Sequence, residues 1–186
     1  ILENLREQSD PTTDTAKVIF KYSADWAYHR FFFDGLDNPA WIIPLLGTGF
    51  FFTPPDPIEV KPGSFQLPGW PAGEYLARFA NQYEDIVAAV VRYIRTENWR
   101  VQEILVDAML KISPAKTAEL IPAIDTWLSG RFSDMLPDRL IPLADYLLEN
   151  GLVDSAIQML EYVITPVLPP TQSEYSKYRS AVRFRS

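Results

Sequence analysis

The chain's single histidine, His29, sits in the stretch Trp26-Ala-Tyr-His-Arg-Phe31, with Asp25 and Asp34 nearby in sequence. An imidazole oriented by a carboxylate can move a proton near neutral pH, but it needs a nucleophile that the fold delivers to it. No such partner is visible in the residues around it, and His29 reads as the polar edge of an aromatic helix face. There is no cysteine, which removes disulfides, thiolate nucleophiles, iron–sulfur clusters and cysteine-ligated zinc together. A metal would have to rest on carboxylates and one imidazole, and no His-x-x-x-His pair is present. No metal or cofactor is therefore expected. The phosphate-cradling patterns GxxxxGK[ST] and GxGxxG and the serine elbow G-x-S-x-G are also missing. The 24 acidic residues always allow some pair at a separation suited to glycoside hydrolysis, so that possibility carries no specificity.

A second group of residues could act by binding instead of by catalysis. Residues 47–57 read Gly-Thr-Gly-Phe-Phe-Phe-Thr-Pro-Pro-Asp-Pro. Three adjacent aromatics cannot all point one way. One reading packs them onto helix ends, each burying enough apolar area for roughly 1.5–3 kcal/mol, while Pro54, Pro55 and Pro57 hold the following chain extended at little entropic cost. The other reading displays Phe51, Phe52 and Trp70 as a partner-binding patch, since aromatics dominate interface hot spots. Packing is the expectation, because large aromatics are far more often buried than displayed.

These residues need elements to position them. At 186 residues, 47% hydrophobic and 13% aromatic, the chain is long enough for one domain or a few stacked units, and too apolar for disorder. No apolar run reaches the ~18–20 residues of a membrane helix, so a soluble, cytoplasmic protein is expected. The formal charge of −7 opposes a broad nucleic-acid surface, where affinity comes from neutralising phosphates. The charge is uneven. Residues 171–186 hold Lys177, Arg179, Arg183 and Arg185 against Glu174, a basic tail read as a solvated connector, with a nucleic-acid or acidic-partner contact as the sharper alternative. A first residue other than Met suggests a segment of a larger protein.

From Tyr83 onward apolar residues recur at steps of three and four, the spacing of a helix face and not of a strand. Tyr83, Ile86, Val87, Val90, Val91 and Ile94 form one stripe, and Asn98 is placed to cap the next. Val101, Ile104, Leu105, Ala108, Met109 and Ile112 follow, then Ser113-Pro114 as a cap with proline at the first helical position. Leu120, Ile121, Ile124, Trp127 and Leu128 make a third stripe. Leu136, Leu140, Leu143, Ala144, Leu147 and Leu148 make a fourth, ended by Asn150-Gly151. Val153, Ala156, Ile157, Leu160 and Val163 make a fifth. Leu-Ile-Pro occurs at 120–122 and again at 140–142, each followed by an aspartate at the same offset (Asp125, Asp145). A proline inside a stripe is expected to kink or restart its helix.

The N-terminal third is less regular. Residues 14–33 predict one or two helices with Ile19, Trp26 and Phe33 buried. Asp37-Asn38-Pro39 predicts a turn and a helix start, running to Leu46. Residues 53–69 carry no clear period and read as one long proline-rich loop, of a length that is usually functional or mobile. A further helix carries Tyr75, Leu76, Phe79 and Ala80.

Residues 84–112, EDIVAAVVRYIRTENWRVQEILVDAMLKI, resemble one HEAT repeat, two antiparallel helices around a short polar turn. Thr96-Glu97-Asn98 stands at the turn, Val101 matches the valine that opens the second helix, and Ala108 and Ile112 fall on packing positions. Gln102 stands where the family prefers arginine, and Ile104 and Leu105 where it carries alanines, so this would be a divergent repeat. The Leu-Ile-Pro helices are similar to the proline-bearing first helix of such repeats. Asn150-Gly151-Leu-Val-Asp-Ser-Ala156 looks more like a tetratricopeptide hairpin. The block Asn38-Pro-Ala-Trp41, Gly49-Phe50-Phe51, Pro54-Pro55 and Trp70-Pro71 resembles helical segments of large uncharacterised bacterial proteins. The repeat resemblance covers residues 84–164 and little of the first 80. It implies an all-α, α-α superhelix of antiparallel helix pairs (a HEAT-like, armadillo- or tetratricopeptide-type solenoid), with an irregular part at 1–82, regular pairs at 83–165 and the tail at 166–186.

What such a stack implies is a non-catalytic scaffold that binds a protein partner and no membrane. A regulatory or sensor segment of a multidomain protein is the first alternative. The second is a carboxylate-dependent hydrolase on a helical toroid, which would need a deep acidic cleft lined by Trp or Tyr.

Overall fold

Ten α-helices and one two-stranded hairpin run through residues 1–22, 26–132 and 135–164, which a computed structural model of the chain describes. Helix α1 (Leu2–Arg6) is a single short turn unit that the sequence pattern does not announce. Helix α2 (Thr13–Tyr22) starts on a reciprocal cap. The Thr15 backbone N–H donates to Thr12 Oγ1 (3.3 Å), and the Thr12 N–H donates to Thr15 Oγ1 (2.9 Å), so two otherwise orphaned donors are satisfied. Helix α3 (Trp26–Asp34) buries Phe32 and Phe33, and α2 buries Ile19. Trp26 departs from expectation. It is 52% exposed, because it opens its helix on the side away from the core.

The Asn38 side chain accepts from the Ala40 N–H (3.0 Å) and caps the 3₁₀ turn Pro39–Trp41, which leads into α4 (Ile42–Gly47). Gly49, at φ 77°, then turns the chain into a second 3₁₀ turn, Phe50–Phe52. The stretch 53–69 is not a structureless loop. It contains strands β1 (Ile58–Lys61) and β2 (Ser64–Gln66), paired antiparallel with Ile58 opposite Gln66 and Glu59 opposite Phe65. Pro62-Gly63, with Gly63 at φ 75°, has the composition of a type II turn. This turn chemistry forms the hairpin although the strands are too short to show a period. Helix α5 (Pro71–Arg78) carries Tyr75 and Leu76 and ends before Phe79 and Ala80.

The regular part follows the stripes closely: α6 (Glu84–Tyr93), α7 (Trp99–Met109), α8 (Pro114–Leu128), α9 (Pro137–Glu149) and α10 (Val153–Ile164). Pro122 and Pro142 lie inside α8 and α9, which continue through them. Both prolines are exposed, so the backbone group that each deprives of a partner is on the solvent side of its helix. Ser113 precedes α8 but does not cap it through its own side chain. Its N–H and hydroxyl instead donate to Glu84 of α6 (3.0 and 2.7 Å). That pairing holds the Glu84 carboxyl below its ordinary range, with Lys116 assisting.

The helices meet in two series. In one, α1 touches α3, α3 touches α5, α5 touches α7 and α7 touches α9. In the other, α2 packs on α4, α4 on the Phe50–Phe52 turn, that turn on α6, α6 on α8 and α8 on α10. Cross-contacts such as α2 with α3, α6 with α7 and α9 with α10 join the series, and one continuous hydrophobic core runs between them. The described residues are thus mostly helical, and none of their helices is long and apolar enough to cross a membrane.

Candidate functional sites

The aromatic run at 50–52 belongs to the core. Phe51 is fully buried, Trp70 is 1% exposed, and Phe50 packs among Phe20, His29 and Phe33 with ring centroids 5.3–5.4 Å apart. Phe52 is half-buried, edge-on to Tyr93 at 4.9 Å. A displayed patch of Phe51, Phe52 and Trp70 is therefore corrected. The 3₁₀ turn that carries the phenylalanines fills the gap between α4 and α6, and the missing length of helix is replaced by rings. Gly73 belongs to the same packing, since a Cβ there would run into the Trp70 ring.

His29 is not on a polar edge either. Its ring is half-buried against Phe33 and Phe50, and its Nε2 has no hydrogen-bond partner. Burial pushes its pKa down to about 4, so it stays neutral at physiological pH. Asp34 is paired with Arg30 (3.0 Å) and not with His29, and Asp25 lies outside the described residues. So do the four basic residues of the tail. Among the described residues no group of three or more His, Asp or Glu side chains is arranged to hold a metal ion.

What the fold displays is a different set of rings. Trp26, Tyr28 and Phe31 of α3 are 52%, 53% and 46% exposed, and Tyr22 of α2 is 37% exposed. Tyr22, Tyr28 and Phe31 line a shallow groove of about 430 Å³ with Ile1, Leu2 and Glu3. The Arg6 guanidinium lies over Phe31 at 5.1 Å and that of Arg30 over Trp26 at 5.6 Å. A signal for this face exists in the sequence. Residues 26–33 of α3 carry five aromatics and a histidine in eight positions, so the helix is apolar nearly all round, and one core cannot cover every side of it.

A second concavity lies where the hairpin leaves the helices. The two feet of the 53–69 excursion are held by one side chain: Asn98, itself fully buried, donates from Nδ2 to the carbonyls of Pro55 (2.9 Å) and Pro68 (2.8 Å). Its Oδ1 meanwhile accepts from the Arg100 N–H (3.2 Å) and caps α7. At the far end Phe65 of β2 packs edge-on to Phe132 (5.5 Å), and the Arg131 guanidinium lies 4.9 Å from the Phe65 ring centre. Between these attachments is a cleft of about 510 Å³, lined by Asp56, Phe65, Glu97, Trp127 and Phe132 among others. The sequence marks Asn98 as a helix cap only; the clasp needs residues about 30 and 43 positions away and has no local signature.

No protein-family model matches the chain, and no curated protein or solved structure is significantly similar to it.

Proposed function

We propose that this chain is a protein-interaction or scaffold segment, an α-α superhelix of HEAT-like antiparallel pairs that binds a protein partner through the α2–α3 face. The observation that carries the proposal is the exposure of Trp26, Tyr28 and Phe31 together on one short helix. Large rings left in water mark interaction sites more often than they serve a monomer, and aromatics and arginine are the residue types that dominate binding energy. Arg6 and Arg30, already placed over Phe31 and Trp26, add cations to that surface.

The superhelical reading draws on the two series of contacts, in which helices repeatedly touch the next but one in the chain. In a solenoid each pair has an uncovered apolar side that its neighbour closes. The first 82 residues join the same two series although their sequence lacks the repeat pattern.

The test is a Trp26→Ser, Tyr28→Ser, Phe31→Ser variant. Because the three side chains are half-exposed, its melting temperature is expected to stay close to that of the parent. Partners captured from the native host by the parent, and identified by quantitative mass spectrometry, should be lost. Retention of the same partners by a folded variant rejects the face as the interface.

A further inference from the structure

The last pair of helices leaves a patterned face uncovered. Helix α9 is met by α7, α8 and α10, and α10 by α8 and α9, which accounts for one side of each. The other side is exposed, with Asp138, Ile141, Asp145 and Leu148 on α9 and Asp154, Ile157, Glu161 and Ile164 on α10. Both sets advance by three, four and three positions, so each lies along one helix face. In each, carboxylate alternates with apolar side chain. The four carboxylates have no ion-pair partner among the described residues, and Arg139, the single cation of the pair, is taken by Glu103 of α7 (2.6 Å). An apolar face at the end of a helical stack needs a cover to stay unassociated.

The chain itself supplies a complement. Residues 165–186 follow directly on α10 and lie outside the described residues. Within them Lys177, Arg179, Arg183 and Arg185 stand against Glu174 alone, and Tyr175, Tyr178 and Val182 recur at steps of three and four. The joining stretch, 165–170, has six residues and can span up to about 20 Å, while the twelve residues of α10 make a helix about 18 Å long. The basic segment can therefore reach either end of both exposed faces. So short a tether holds the two at about millimolar effective concentration, where contacts that are individually weak suffice.

We propose that residues 171–186 bind in cis across the exposed faces of α9 and α10 and cap the stack. The four cations meet Asp138, Asp145, Asp154 and Glu161, and Tyr175, Tyr178 and Val182 cover the apolar side chains between those acids. Nucleic acid is the poorer occupant for the same cations, because it would meet a chain of charge −7 while these carboxylates lie next to the tail. This surface stands at the other end of the contact series from α2–α3 and does not depend on the interface proposed there.

The test uses the whole chain. It has no cysteine, so a nitroxide attached to Ser180→Cys reports from one place. In the ¹⁵N-labelled protein the label is expected to broaden amides 138–148 of α9, which the tether alone does not hold near it, and to spare those of α3. The broadening should fade as salt is raised from about 0.05 to about 0.5 M. Lys177→Glu, Arg179→Glu, Arg183→Glu and Arg185→Glu together should abolish it; this variant leaves the helices untouched and carries the test by itself. Adding Asp138→Lys, Asp145→Lys, Asp154→Lys and Glu161→Lys, all at exposed side chains, should restore it. A mixture of spin-labelled ¹⁴N chains with unlabelled ¹⁵N chains should show none. Broadening in that mixture makes a second copy the occupant and overturns the proposal. So does broadening that survives reversal of the tail's charge, or the absence of broadening on α9 at low salt.

Discussion

Between Leu2 and Arg78 the five helices are 5, 10, 9, 6 and 8 residues long, whereas between Glu84 and Ile164 they are 10, 11, 15, 13 and 12. Helices α1 to α4 each turn only two or three residues inward, so each residue must cover more area. The N-terminal region accordingly closes its core with rings: Phe32 on Phe33 and Trp41, and Phe33 on Phe50 and Tyr75, at centroid distances of 5.1–5.7 Å. Helices α6 to α9 turn four to six residues inward and manage with Val87, Val90, Val101, Leu105, Leu120, Ile124, Leu140 and Leu143. Connectors are treated alike in both regions, and in the C-terminal one Tyr146 donates to the Ile112 carbonyl (2.7 Å). N-terminal connectors have their carbonyls met by long side chains from elsewhere: Arg78 donates to Phe33 and Leu36, Tyr75 to Asn38, and Tyr83 to Pro39. Regular repetition and irregular aromatic packing therefore extend the same two series of contacts by different means.

The largest expected effect comes from emptying the ring cluster. Phe33→Ala should cost about 3–5 kcal/mol in urea unfolding, against roughly 1.5–2 kcal/mol for Val91→Ala, which removes two methyl groups from α6. If the order reverses, the ring cluster is not what closes the N-terminal region. Next comes the residue that joins the regions. Asn98→Ala strips the Pro55 and Pro68 carbonyls of their donor and α7 of its cap, an expected loss of about 2–4 kcal/mol. Asn98→Asp keeps the cap and loses both donors, so it should leave α7 intact while limited proteolysis within 56–67 accelerates. Parent-like cleavage in Asn98→Asp would show that the clasp does not hold the hairpin.

Gly73→Ala drives a methyl into the Trp70 ring and should cost about 1–3 kcal/mol. The same change at Gly35 meets only the movable Arg6 guanidinium and should cost less. The smallest effect is a pH dependence located in the aromatic region alone. The folded state holds His29 neutral down to about pH 4, while the unfolded chain protonates it near 6.5. The unfolded state then binds the proton first, and stability should fall as pH drops from 6.5 to 4 and level off below that. Allowing for partial solvent screening the loss is about 1–2 kcal/mol. Glu84 and Asp85, with depressed carboxyl values, contribute a separate loss at lower pH. His29→Leu should flatten the upper window and leave the lower one, and an unchanged upper window would remove His29 as its cause.

The legible part of the fold was the part whose information is local. Five stripes at 83–164 became five helices with few misplaced residues; the exceptions, Leu148, Val153 and Ile157, are exposed near the end of the described chain, in α9 and α10. Ile19, Phe33 and the turn with a helix start at Asp37-Asn38-Pro39 were equally visible. The hairpin was not, because strands of four and three residues are too short to show alternation. Nor were the sites. Phe51 and Trp70 are the same residue types as Phe31 and Trp26, and composition cannot say which pair is covered. Asn98 looked like any helix cap, since half of its work is done on carbonyls of a distant loop.

By itself the sequence determined where helices form and which stripe of each is apolar, because the 3.6-residue turn links those properties within a few positions of the chain. Only the tertiary structure decided which aromatic faces meet another element and which meet water. It also decided that a buried amide would clasp the hairpin and leave a cleft beside it. Those outcomes depend on which surfaces arrive together, and burial is a relation between segments that no single segment records.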